Sequence, residues 1–329
     1  WGLTRHYAMQ SRRFGGAVPE HLQSHFLALR PRLFNSDAFW DYWQQMALPA
    51  SYEQSVILHE TRFTPYFAAK GYIWDTYVNT DDLCGVFVNP IMACPAELLQ
   101  KRDCPFFKRR SLFTPYADEL RRTDGCAAGE LYRYVKAHTE FPVDLLLASL
   151  LQTQPMAALA KNLHWNYVIA EPAAEVPDLA ALGLRLLRYT LPAADPVTDW
   201  YNKKASADAD ALLGRAAQLF EKKPLLGVLS PALPLWQGCA AARRTQWQRD
   251  AWTLAEKAAV PVGSDPLPAP NCGWLLVREA SFLDGIPPCT TQRDAWQLAL
   301  TAQAAGYYAA AFETAAQAAA RADVLDVYE

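Results

Sequence analysis

Residues 51–72 read S-Y-E-Q-S-V-I-L-H-E-T-R-F-T-P-Y-F-A-A-K-G-Y. Ser51 followed three positions later by Gln54 is a capping-box start, and Gly71 is a stop, so the stretch is expected to be one helix running toward Lys70. Pro65 has no N–H for the carbonyl of Thr61 and predicts a kink there. At about 100° per residue, Val56, Ile57, Phe63 and Phe67 share one face, and Glu60 falls among them. Glu53, two turns earlier, lies close to that face. A carboxylate on a buried stripe loses hydration, so the pKa of Glu60 is expected to rise. A base poised nearer neutrality is one use for such placement. Pairing with an arginine or capping a loop would account equally for Glu60, and the helix dipole favours any carboxylate at the position of Glu53.

Upstream, residues 22–29 alternate and read as a strand, with His21, Gln23, His25 and Leu27 on one side. The polar side chains of that face offer donors and acceptors suited to sugar hydroxyls, as an edge strand facing water also would. Ser36 or Asn35 can cap a helix in which Phe39, Tyr42, Trp43 and Met46 recur at helical spacing. Downstream, residues 72–78 and 84–88 read as short strands separated by the turn Asn79-Thr80-Asp81-Asp82, whose chemistry is that of a turn and to which no metal is assigned. From Pro95 the pattern becomes mostly helical, through 117–122, 128–137, 143–151 and 156–163, with a strand at 165–169. Residues 170–177, rich in Ala, Glu and Pro, are the linker candidate. Beyond it, helices at 207–223, 244–259 and 292–305 alternate with strands at 225–229 and 273–277, which predicts an α/β layered module.

The whole chain has 329 residues, enough for two modules. Hydrophobic residues make up 51% and charged residues 20%, the balance of a globular protein rather than a disordered one. A net charge of −3 argues against a nucleic-acid binder, whose affinity rests on neutralising phosphates. The longest apolar runs, such as 143–151, are interrupted by Asp144 and Ser149 and are too short to cross a bilayer. Seven cysteines without a C-x-x-C pair read as reduced thiols, as expected in the cytoplasm. The run K-R-D-C-P-F-F-K-R-R-S gathers Lys101, Arg102, Lys108, Arg109 and Arg110. Such a patch could hold a pyrophosphate, approach anionic lipid headgroups, or be a solvated face. Arg12 and Arg13 form a smaller basic pair. No G-x-G-x-x-G, Walker loop, H-E-x-x-H or G-x-S-x-G occurs.

Read together, H-L-Q-S-H-F-L-A-L from His21, D-A-F-W-D-Y-W from Asp37, S-Y-E from Ser51, His59-Glu60 and F-x-x-K-G-Y from Phe67 resemble the rhamnan synthesis protein F family. These are bacterial glycosyltransferases that build rhamnose-containing cell-surface polysaccharides. The resemblance continues through Asn89-Pro90, C-P-F-F-K-R-R-S-L-F from Cys104, L-Y-R-Y-V from Leu131 and L-H-W-N-Y-V from Leu163. Later it thins. Y-N-K-K-A from Tyr201 stands where the family tends to carry a His-Thr-Lys-Lys-Ser-like motif, and the family's acidic and histidine-bearing pattern is not evident around Gln292-Arg293-Asp294.

The resemblance implies an α/β fold: a GT-A-like mixed-sheet half domain with a helical extension over residues 1–170, then a second, eroded α/β module over 171–329. In GT-A enzymes an acidic residue opens a helix that ends in Gly plus an aromatic, and Glu60, eleven residues before Gly71, stands in that place. By analogy Glu60 is the general base of an inverting transfer, with Glu53 as alternate base or orienting partner. His21, Gln23 and Ser24 become substrate-binding candidates, and Lys108, Arg109 and Arg110 would offset charge on the departing nucleotide diphosphate.

The implied donor is a deoxysugar nucleotide, dTDP-rhamnose, and the acceptor a lipid-linked or growing glycan. A divalent metal, Mg or Mn, would accompany the donor, but no ligand for it is identified in this chain. Opening at W-G-L-T, the chain is expected to lack the family's donor-nucleotide strands. The implied location is cytoplasmic, peripheral at the inner membrane. The competing reading is a non-catalytic binding or scaffolding module in a polysaccharide-assembly complex.

Overall fold

The computed structural model describes residues 1–115, 118, 120, 123–165, 167–169, 175–190, 196, 209–231, 249–250, 252–263 and 273–313. Contacts group the chain into two compact units, Trp1–Ala137 and His138–Glu329. Both combine helices with small sheets, so the fold is mixed α/β. The stretch considered as a linker lies within the second unit, and residues 170–174 of it fall outside the described residues.

In the first unit, β1 (Arg5–His6) pairs antiparallel with β4 (His21–Leu22), setting His6 opposite His21. Between them, β2 (Met9–Ser11) and β3 (Gly16–Val18) form a hairpin. The strand expected over 22–29 stops at Leu22, because its later donors go elsewhere. Leu22 N donates to Thr64 Oγ1 at 2.9 Å, Gln23 N to the Thr4 carbonyl at 3.1 Å, and Ser24 N to Glu60 Oε2 at 3.1 Å. A one-sided edge strand has thus been replaced by a turn bound to a helix.

After α1 (Pro31–Phe34), Ser36 caps α2 (Asp37–Gln44) by accepting from Phe39 N. Ser51 then accepts from Gln54 N at 3.2 Å, while Gln54 Oε1 accepts from Ala50 N at 2.8 Å. The helix so started is not continuous: α3 (Tyr52–Ser55) passes into a π-helical turn, Val56–Glu60, before α4 (Thr61–Ala69). Thr61 N bonds the Val56 carbonyl, five residues back, and the Thr61 hydroxyl takes over the Ile57 carbonyl at 3.1 Å. The irregularity therefore lies upstream of Pro65, where the sequence predicted a kink. Gly71, at φ +81°, closes the helix in a Schellman arrangement, with Gly71 N on the Ala68 carbonyl and Tyr72 N on that of Phe67.

Two apolar cores hold this unit. Phe39, Phe63 and Phe67 pack with Leu33, Tyr42 and Tyr72. Leu3, Val78, Ile91, Met92, Leu98 and Cys104 form the other, built around α5 (Pro90–Ala93) and α6 (Pro95–Lys101). The strands expected at 72–78 and 84–88 are not formed. Residues 75–78 do reach the chain's first residues, through Gly2 N to Asp75 O at 3.0 Å and Val78 N to Leu3 O at 3.0 Å. That contact amounts to a single bridge, Gly2 to Thr76. A 3-10 turn, Asp81–Leu83, follows, and α7 (Ala127–His138) ends the unit.

The second unit begins with α8 (Val143–Thr153) and α9 (Met156–Asn162). Its sheet contains β5 (Tyr167–Ile169), β6 (Leu184–Arg188), β7 (Leu226–Pro231), β8 (Trp274–Arg278) and β9 (Tyr308–Glu313) in the order β5-β9-β7-β8-β6. Pairs β5–β9 and β9–β7 are parallel, β7–β8 and β8–β6 antiparallel. All of β7 is buried, which explains its continuous apolar reading. Helices α10 (Ala209–Lys222) and α11 (Gln292–Ala304) accompany the sheet. Asp294 completes a capping box with Thr291, a structural use for the segment Gln292-Arg293-Asp294. Strands β6 and β9 escaped the sequence reading; Tyr201 and its motif lie outside the described residues, as do 244–248 and 251 of the helix expected at 244–259, whose residues 249–250 and 252–258 are helical.

Candidate functional site

The π turn ends on Glu60 and aims its carboxylate at the turn after β4. Wide π turns inside α-helices often mark functional positions, because the extra residue resets the direction of the side chains around it. Glu60 Oε2 accepts from Ser24 N at 3.1 Å and, through a short contact, from the Ser24 hydroxyl. Glu60 Oε1 faces His21 Nε2 at 3.8 Å, beyond a hydrogen bond but close enough for strong electrostatic coupling. The Glu60 side chain keeps 21% of its surface exposed, whereas that of His21 keeps 1%.

His21 is fixed from behind. Its Nδ1 lies 2.7 Å from the Pro19 carbonyl, and a carbonyl only accepts, so Nδ1 carries a proton and Nε2 is the nitrogen turned to Glu60. The ring stacks on that of His6 at 4.9 Å with planes 16° apart. Burial, and then the His21 ring, push the His6 pKa down to about 4. His25 is likewise brought down to about 4, by lost hydration and then by the Lys108 ammonium. The Lys108 pKa is lowered by burial, with Glu60 opposing that shift. Glu60, His6, His21, Ser24, His25 and Lys108 therefore form one coupled cluster.

Glu60 corrects the expectation drawn from the helix stripe. Burial does push its carboxyl pKa up, but His21, the hydroxyl and N–H of Ser24, and Lys108 together outweigh that and bring it down to about 2. The group is a carboxylate at neutral pH, held in the proton-accepting form.

Glu53 is placed differently. Its carboxylate receives Arg13 Nη2 at 2.6 Å and Nε at 3.2 Å, an ion pair at the surface. Arg13 also lies over the Tyr52 ring at 5.8 Å, and Arg110 over the same ring at 5.2 Å. Gln23 is buried and braces the scaffold, accepting from Thr4 Oγ1 at 2.8 Å and donating to Asn89 Oδ1 at 3.3 Å. The basic run is divided. Arg102 is tied to Asp82 at 2.6 Å and Glu97 at 2.8 Å, Arg109 is exposed in a 3-10 turn (Arg109–Leu112), and only Lys108 enters the cluster.

Sequence reasoning missed His6 entirely and left His25 outside the substrate-binding set. Recognising R-H-Y as a strand would have exposed the first, since pairing β1 with β4 sets His6 across from His21. The π turn has no signature in the sequence read alone. Among the described residues, no three His, Cys, Asp or Glu side chains converge as a metal site. Asp81 and Asp82, the acidic pair nearest to such a motif, are engaged by Arg5 at 3.2 Å and Arg102 at 2.6 Å. The described residues therefore assemble no site for the metal implied by the resemblance.

No curated protein and no solved structure matches the chain. A family profile does: that of rhamnan synthesis protein F matches residues 1–180, the whole of the first unit and the start of the second. That match covers more than half of the 329 residues and includes every member of the Glu60 cluster. The chain belongs to the rhamnan synthesis protein F family, and its role is a glycosyltransferase-related one in the synthesis of rhamnan polysaccharide.

Proposed function

We propose that the first unit is the acceptor side of a GT-A-like glycosyltransferase that moves rhamnose from dTDP-rhamnose to a polysaccharide precursor, inverting the anomeric carbon, with Glu60 as general base. The observation that carries this reading is a partly exposed carboxylate, kept ionised by Ser24, His21 and Lys108, on a π turn in a family of rhamnan synthesis. Ser24 occupies Oε2, which leaves Oε1 to receive the proton of an acceptor hydroxyl. A carboxylate of low pKa is a weak base and acts late. As the glycosidic bond forms and the leaving diphosphate departs, the acceptor hydroxyl becomes acidic enough to give its proton to Glu60. Lys108 holds positive charge at the same place, where it balances Glu60 before transfer and the anionic leaving group during it. Ser24 and His21 orient the base, while Gln23 supports the turn from behind. Arg109 and Arg110 remain available for the diphosphate, and Glu53 serves to order Arg13 and Tyr52.

Transfer assayed with the full-length protein and dTDP-rhamnose tests the assignment. Glu60→Gln keeps the acceptor for Ser24 but removes the base, and it is expected to lower kcat by about 10²–10⁴-fold with little change in KM. Unchanged transfer by the variant would remove Glu60 from the mechanism. If the unmodified protein transfers nothing, the scaffolding reading is favoured instead.

A further inference from the structure

One turn beyond Glu60 on the same helix, Thr64 lines a groove of about 210 Å³. Its walls are Leu22, Leu33, Phe67, Tyr72 and Trp74, with Arg30 and Arg32 among its lining residues. Neither arginine forms an ion pair with an acidic side chain among the described residues, whereas Arg5, Arg13 and Arg102 each do. Arg32 instead lies over the Tyr72 ring at 6.0 Å. Large apolar side chains stand in water here: Ile73 and Trp1, in the lining, are 98% and 47% exposed, and Phe34, next in the chain to Leu33, and Trp40 are 45% and 49% exposed. Phe34 and Trp40 pack edge to face at 5.6 Å, forming a fixed ledge rather than scattered residues.

We infer that this face docks on a membrane, with an apolar segment of an anionic phospholipid in the groove and its phosphate on Arg30 and Arg32. The polar inventory decides the class of ligand. The Thr64 hydroxyl oxygen already accepts from Leu22 N, so besides the two guanidiniums the side chains of the groove offer a polar ligand only the tips of Tyr72, Trp74 and Trp1. A sugar ring requires several matched donors and acceptors, whereas one phosphate on an aliphatic body requires cations at the mouth and apolar walls below. Exposed aromatics beside unpaired basic side chains are also the composition that seats a protein in the interfacial layer of a bilayer. None of the described helices is long and apolar enough to cross a membrane, so attachment through this face would be peripheral. In the basic run at Lys101 to Arg110, by contrast, Arg102 is paired with Asp82 and Glu97 and Lys108 belongs to the Glu60 cluster.

Flotation of the protein with vesicles tests this without any transfer assay, so it stands or falls apart from the role of Glu60. Binding is expected to phosphatidylglycerol–phosphatidylcholine vesicles, to weaken with salt, and to be much lower with phosphatidylcholine alone. Arg30→Gln with Arg32→Gln should reduce it by roughly thirtyfold, from two lost surface charges. Ile73→Asp, at a position too exposed to affect folding, should reduce it as well. Lys222→Gln with Lys257→Gln removes equal charge from exposed sites in the second unit and should leave binding intact. An equal loss in that control would show diffuse attraction and overturn the site. Absence of binding to either vesicle would leave the groove to a protein partner and overturn it too.

Discussion

The two units differ in how much polar surface they bury. In the first, Thr4, His21, Gln23, Thr61, Thr64, Thr76 and Thr80 are buried polar residues, and the backbone around them is a mixture of two-stranded sheets, a π turn and loops. In the second, where fewer polar side chains are buried, the sheet is lined by Leu226, Val228, Leu229, Trp274, Leu275, Leu276 and Val277, all nearly inaccessible, with one register shift in β7 between Leu226 and Val228. Buried polar groups must be satisfied one by one, which costs regularity but fixes side chains in defined directions. An apolar sheet needs only volume and pattern. The contrast places side-chain chemistry in the first unit and mechanical stability in the second.

The sharpest way to break that contrast is to damage the apolar sheet of the second unit. Leu229 in β7 is fully buried, so Leu229→Ala removes methyl groups from a closed core and should cost about 2–5 kcal/mol in chemical denaturation. A cost well below that range would mean that the sheet relaxes around the hole, and that its packing is not the rigid element assigned to it here.

Acid should act on the first unit instead. Glu60 titrates at about 2 in the folded protein against an ordinary value of 4.5, so its contribution is complete above about 4.5 and is lost as the pH falls through about 2. The size is on the order of 3 kcal/mol. His6 adds an earlier window. Its folded pKa of about 4 lies below the ordinary 6.5, so the unfolded chain binds the proton first and stability declines as the pH drops from about 6.5 to about 4. Denaturation followed across pH should show both limbs, and Glu60→Gln should erase the lower one while, by removing a charge that raises the His6 pKa, leaving the upper one no smaller. A lower limb that survives the substitution would assign it to other carboxylates and weaken the coupled cluster.

The elements legible in the sequence are those whose signal is local. The helix now seen as α2 was marked by Ser36 and its aromatic stripe, the start at Ser51 by Gln54, the stop at Gly71, and β7 and β8 by short apolar runs. What could not be read depends on partners distant in the chain. The strand expected after His21 ends because Thr64 and Glu60, about forty residues on, take its N–H groups. The same distance hid the sign of the Glu60 shift: the stripe revealed the desolvation but not Ser24, His21 and Lys108, which reverse it. Glu60 itself was visible as a carboxylate out of place, and the family motifs gave that anomaly a meaning. His6 was not, because R-H-Y was not read as a strand and its pairing with the strand at His21 is what stacks the two rings.

The smallest expected effect separates the two carboxylates on that helical run. Glu53 and Glu60 were grouped by their position on one face, yet the π turn between them breaks the phase of the helix. Glu53 ends in water with Arg13, where a well-formed ion pair still contributes little because solvent screens it and two long side chains must be ordered. Its lowered pKa, caused first by the Arg13 hydrogen bonds, is therefore a sign of contact rather than of stored stability. Glu53→Gln should leave both the denaturation midpoint and the acid limbs unchanged within experimental error. It should also leave kcat close to that of the unmodified protein, with any effect confined to KM through the looser Arg13 and Tyr52. A fall in kcat approaching that of Glu60→Gln would restore Glu53 as a second base and show that the turn between them opens during transfer.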